Sequence, residues 1–75
     1  MAVQETLYKD AKTNTYLLHH KVSVPGRPSY EQLRIYDGND HVAREVIVRS
    51  RGKTFRSTNN PVVTDLPQEL SHLLD

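Results

Sequence analysis

The chain has no cysteine, no tryptophan, one methionine, one phenylalanine and three glycines among 75 residues. Without cysteine there is no disulfide staple, no thiol nucleophile and no cysteine-ligated zinc, which argues against a small secreted scaffold and for a reducing, cytoplasmic setting. An apolar run of signal-peptide length is missing from the first twenty residues. No window approaches the roughly 20 apolar residues needed to cross a bilayer, so neither export nor membrane insertion is expected. The glycines, Gly26, Gly38 and Gly52, stand singly in turn-like contexts, so there is no glycine-rich phosphate loop and no cofactor is expected. The formal net charge of +1 is too small to imply a polyanionic partner; any such argument must rest on where the charges lie.

What is present suits one small folded domain. Charged residues make up 25% of the chain and apolar ones 36%, with Val, Leu and Ile spread throughout, which is too apolar for a disordered chain. A domain of this size hides only about 60% of the surface its unfolded chain exposes, so its stability should be a few kcal/mol.

Proline, glycine, asparagine and aspartate punctuate short segments rich in Val, Ile, Thr and Tyr, the pattern of antiparallel strands. Strands are expected at residues 4–8, 15–24, 30–36, 41–50 and 53–57. The turns "PGRPS", "DGND" and "RG" separate the later ones, because proline cannot donate to a ladder and Gly and Asn tolerate positive φ. Residues 41–50 also fit a helix, with Asp40 as cap, Glu45 and Arg49 at i,i+4 and Gly52 as stop. Three consecutive β-branched residues, Val46, Ile47 and Val48, favour the strand. After the loop "TNNP", the segment "TDLPQELSHLLD" places Asp65 or Leu66 ahead of Pro67, Glu69 in the first turn, and Leu66, Leu70, Leu73 and Leu74 on one face. That predicts a short amphipathic helix over 67–74. The fold class expected is therefore mainly β: about five antiparallel strands, curled or partly barrel-like, with a short C-terminal helix.

Residues 41–58 contain five of the ten Lys and Arg residues and one acid, Glu45, whereas residues 62–75 contain three acids and no base. The hairpin turns assign these charges to faces. Pairing Tyr36 with His41 sets Ile35 opposite Val42 and Leu33 opposite Arg44; pairing Ser50 with Lys53 sets Val48 opposite Phe55 and Ile47 opposite Arg56. In that register Leu33, Ile35, Val42, Val46, Val48 and Phe55 form the core side. In the strand before them, the even positions Tyr16, Leu18, Val22 and Val24 form the inner row, which His20 interrupts. The outer side then gathers Tyr30, Arg34, Tyr36, Ile47, Arg49, Thr54 and Arg56, with Arg51 at the turn and Glu45 as its only acid. Tyr30, Arg34, Tyr36, Arg49, Arg51 and Arg56 are thus the candidate nucleic-acid-binding set: arginines for phosphates and tyrosines as stacking platforms for a single strand. The same residues are also ordinary cross-strand neighbours on a wet sheet. Arg44 falls on the core side near Glu31, which an edge position or a bulge over residues 43–45 would relieve.

No catalytic constellation emerges. His19 and His20 are adjacent in a strand and point to opposite faces, so with His41 and His72 distant in sequence no metal site is expected. Asp37 and Asp40 flank a turn, where carboxylates usually accept local backbone N–H groups. "RGKTF" lacks the aromatic spacing of an RNA-binding sheet motif. The expected function is accordingly a non-enzymatic adaptor or regulatory module that binds another protein. Arg27 in the rigid "PGRP" loop and the helix leucines Leu70, Leu73 and Leu74 are its candidate contacts, and a homodimer through a strand edge or the C-terminal helix is one form such binding would take. Single-stranded nucleic-acid binding is the alternative.

Overall fold

Each strand of the chain pairs antiparallel with its successor, and local turn chemistry explains why. In the computed structural model, which describes residues 2–57 and 66–74, the strands are β1 (Ala2–Asp10), β2 (Thr15–Ser23), β3 (Tyr30–Asp37), β4 (Ala43–Ser50) and β5 (Lys53–Arg56), in the spatial order β1-β2-β3-β4-β5. The sheet is not closed, so β1 and β5 are its edges. The loop expected at residues 58–61 and the helix start expected at Asp65 lie outside the described residues.

Arg51 (φ 54°) and Gly52 (φ 75°) are both left-handed, as a two-residue type I′ hairpin requires, and Ser50 pairs with Lys53 as the sequence predicts. Pro25 and Gly26 (φ 78°) make a tight turn in which the Arg27 N–H donates to the Val24 carbonyl at 3.0 Å. Gly38 serves a close approach. Its N–H donates to the Asn14 carbonyl at 2.8 Å, and a Cβ there would lie 2.5 Å from the Asn14 side chain.

The β3–β4 connection departs from the predicted four-residue turn. Asp37 donates its N–H to the Val42 carbonyl (3.1 Å), His41 donates to the Asp37 carbonyl (2.8 Å), and His41 takes the positive φ of 58°. The Asp37 and Asp40 carboxylates accept the N–H groups of Asn39 (2.7 Å) and Val42 (3.0 Å). Ala43 then pairs with Tyr36 and Glu45 with Ile35, leaving Arg44 as the extra residue of a bulge. Ile35 therefore faces Glu45 instead of Val42. A slip by an odd number of residues turns every later side chain to the other face.

The core side is consequently the opposite one in β4 and β5, and it is also the opposite one in β2, where Leu17 pairs with the buried Ile35. Leu17, Leu33, Ile35 and Ile47 are fully buried beneath Leu70 and Leu73, with Tyr8, Leu66 and Leu74 packed around them. The predicted core residues Val46, Val48 and Phe55 and the predicted β2 inner row of Tyr16, Leu18 and Val22 face away, and Val42 precedes β4 and is exposed. The C-terminal helix spans Gln68–Leu74 as a 3-10 helix, opened by the Leu70 N–H donating to the Pro67 carbonyl at 2.8 Å. Seven residues are not helical alone in water; burying Leu70 and Leu73 holds them in place.

Candidate docking face

One face of the sheet is covered by the helix, and its two buried carboxylates, Glu31 and Glu45, are held by neighbouring side chains. Glu45, fully buried and expected on the outer side, accepts a hydrogen bond from Arg56 Nε at 2.8 Å. Arg49 Nη1 donates to the Thr54 hydroxyl at 2.8 Å. Glu31 sits between two histidines: its Oε1 lies 3.0 Å from His19 Nε2 and 2.9 Å from His72 Nε2, so one carboxylate ties the helix to the sheet. Burial pushes the Glu31 pKa up, but the hydrogen bonds and charges of His72 and His19 outweigh it and hold the group below its ordinary value. Nothing local in the chain announces that His19 and His72 meet, since they stand far apart in sequence. Even so, no cluster among the described residues has the makings of a metal site.

These contacts split the candidate nucleic-acid set. Arg49 and Arg56 belong to the covered face, Arg51 stands exposed at the turn, and only Tyr30, Arg34 and Tyr36 share the open face. Arg44, expected near Glu31, instead pairs with Asp40 and reaches Asp37 at 3.7 Å. The candidate partner contacts divide as well. Leu70 and Leu73 belong to the core, Leu74 is half-buried against it, and Arg27 remains exposed in its turn.

The open face reads in rows across the strands. The first row is Val3, Val22, Tyr30, Ser50 and Lys53; the second Glu5, His20, Gln32, Val48 and Phe55; the third Leu7, Leu18, Arg34 and Val46; the last Lys9, Tyr16, Tyr36 and Ala43. Four of the chain's five aromatic side chains, Tyr16, Tyr30, Tyr36 and Phe55, lie here, and Tyr8 alone is on the other side. Leu7 and Phe55 are 63% and 60% exposed and Val3 is 50% exposed. These exposed apolar side chains are grouped on one face instead of scattered singly, and such grouping marks an interaction site.

Its charges are few and mostly positive. Glu5 Oε1 lies 3.0 Å from His20 Nδ1, and Lys9 Nζ stands 5.1 Å over the Tyr16 ring. Arg34 occupies the centre, beside Leu18 and Val46, and among the described residues no carboxylate comes within ion-pair distance of it. Hydrogen bonding and charge interaction with the Tyr36 phenol raise its pKa above the ordinary value, so it is a permanent cation. A shallow depression beside it is lined by Glu5, Leu18, His20, Gln32 and Arg34. A second, almost wholly apolar, is lined by Leu7, Tyr16, Tyr36 and His41, where the Tyr16 and His41 rings tilt together with centroids 6.3 Å apart. No periodicity marked this face, because Leu17 with Leu18, and Val46 through Val48, offer apolar side chains to both sides. No family model, curated protein or solved structure matches the chain, and among the described residues no helix is long and apolar enough to cross a membrane.

Proposed function

We propose that this is a non-enzymatic binding module of the cytoplasm that docks a protein partner on the open face of its sheet. The observation that carries the reading is a five-stranded face of aromatic and aliphatic side chains, uncovered by the helix, with Arg34 at its centre and no carboxylate among the described residues within ion-pair distance of it. Burying such a cation is costly unless the partner supplies a carboxylate, so the fitting partner is an apolar segment with an acidic residue positioned over Arg34. The apolar rows provide the affinity and the Arg34 pair the orientation.

A second reading has one observation in its favour. Lys9, Arg34 and Lys53 lie on a diagonal across the face among Tyr16, Tyr36, Tyr30 and Phe55, a disposition that suits a single nucleic-acid strand. Three cations make few phosphate contacts, and the aliphatic rows have no counterpart in a polynucleotide; the protein partner is favoured for those reasons.

One experiment separates the readings. Cross-linked capture from cytosol with the wild-type chain and with a Leu7→Asp, Phe55→Asp double variant should retain a protein on the wild type, cross-linked to the open face, and lose it on the variant. Equal retention by both sinks the protein reading. Labelled single-stranded oligonucleotides titrated at low salt form the second arm: binding that weakens with salt and is lost in Tyr36→Ala would replace the protein reading with the nucleic-acid one.

A further inference from the structure

Strand β1 is an edge that no other described strand or helix pairs with on its outer side. It runs nine residues without proline, glycine or a register break against β2, and among the described residues only β2 pairs with it. Seven of its nine residues are exposed. The N–H and C=O groups along its outer side are therefore a free template, of the kind that natural sheets usually blunt with short strands, prolines or bulges. The opposite edge is blunted in this way: β5 has four residues, and its Arg56 is tied to Glu45.

The β1 sequence is complementary to itself in one register. In a two-fold antiparallel pairing a residue faces its own copy and the flanking residues face each other's mirror positions. Centred on Leu7, this sets Leu7 against Leu7, Thr6 against Tyr8, Gln4 against Asp10, and Glu5 against Lys9 twice over. Centred on Thr6, it sets Glu5 against Leu7 and Val3 against Lys9 and makes no ion pair. Centred on Glu5, it apposes two like charges. Glu5 uses Oε1 toward His20 and its side chain is 62% exposed, which leaves Oε2 for a lysine.

We infer that a second copy of this chain adds to the outer edge of β1 in the Leu7-centred register, joining two five-stranded sheets into one of ten strands. The axis stands perpendicular to the sheet, so both open faces lie on the same side and both helices on the other. Glu5, Leu7 and Lys9 also border the open face, so the pairing is tested with the purified chain alone and at Glu5 and Lys9 only, without any docked partner.

Sedimentation velocity across a range from micromolar to millimolar protein tests the pairing. The wild type should form a dimer whose fraction rises with concentration. Glu5→Lys or Lys9→Glu alone places like charges opposite each other at both symmetric positions and should raise the dissociation constant about tenfold or more, and the double swap should restore it. Glu5 and Lys9 are exposed and lie outside the core, and circular dichroism verifies that each variant folds; where a swap lowers the melting temperature, Glu5→Gln and Lys9→Gln replace it and must also weaken the dimer. A wild type that stays monomeric, a dimer indifferent to single swaps, or a double swap that does not recover would each overturn the pairing.

Discussion

The two faces of this sheet differ in composition and in whether their polar groups have partners: the open one holds four of the five aromatic side chains, the covered one the two buried carboxylates. On the helix side Glu45, Glu31 and Arg56 are tied to neighbours, and the apolar side chains close over one another. On the other side no carboxylate among the described residues comes within ion-pair distance of Arg34, and Leu7 and Phe55 are exposed. Across the strands the open face carries more apolar side chains than the covered one, so an apolar count would name the wrong face as the core. What marks the covered face is that Leu70 and Leu73 close over it and that its buried carboxylates are held by neighbours.

The contrast can be tested from the core outward. Ile47→Ala, at a position with no solvent exposure, should cost about 2–5 kcal/mol in urea unfolding, enough to unfold much of so small a domain. Arg56→Ala removes the 2.8 Å hydrogen bond to the buried Glu45 carboxylate and should cost about 1–3 kcal/mol in the same measurement. The Glu31 bridge makes stability depend on acid. Its folded pKa lies below the ordinary 4.5, so its contribution is present above that value and is lost as pH falls through the folded pKa. Besides His19 and His72, Glu31 has Lys21 and Arg49 as its cross-strand neighbours. Melting temperatures stepped from pH 7 to pH 3 should fall below pH 4.5, and less steeply in Glu31→Gln. At the small end, Leu7→Asp and Phe55→Asp should each leave stability within about 0.5 kcal/mol of the wild type while abolishing partner capture. A large loss of stability from either would mean that the open face belongs to the core after all.

How far this was legible in the sequence follows from what each residue could signal locally. The five strands, the Arg51–Gly52 turn with Ser50 opposite Lys53, and the leucine-bearing C-terminal helix could be read from punctuation and spacing. The faces could not, because adjacent apolar pairs such as Leu17 and Leu18 satisfy either assignment; the pairing of Leu17 with Ile35 decides it in β2, and the bulge at Arg44 decides it in β4 and β5. The same bulge decided the candidate site: Tyr30, Arg34 and Tyr36 stayed together, while Arg49 and Arg56 went to the other side. The His19–Glu31–His72 bridge joins residues 12 and 41 positions apart, and nothing local announces it.

Arg44 is the one residue of β4 that the β3 ladder skips. A chain lacking it would keep Ala43 opposite Tyr36 and Glu45 opposite Ile35, so every facing before and after would survive, and only the ion pairs to Asp40 and Asp37 would go. Loss of one residue between Glu45 and Ser50 would instead change the phase of the pleat and exchange inside for outside over part of the hairpin. The bulge is thus the place in this hairpin where a change in chain length can be absorbed, a slack link in an otherwise rigidly indexed sheet.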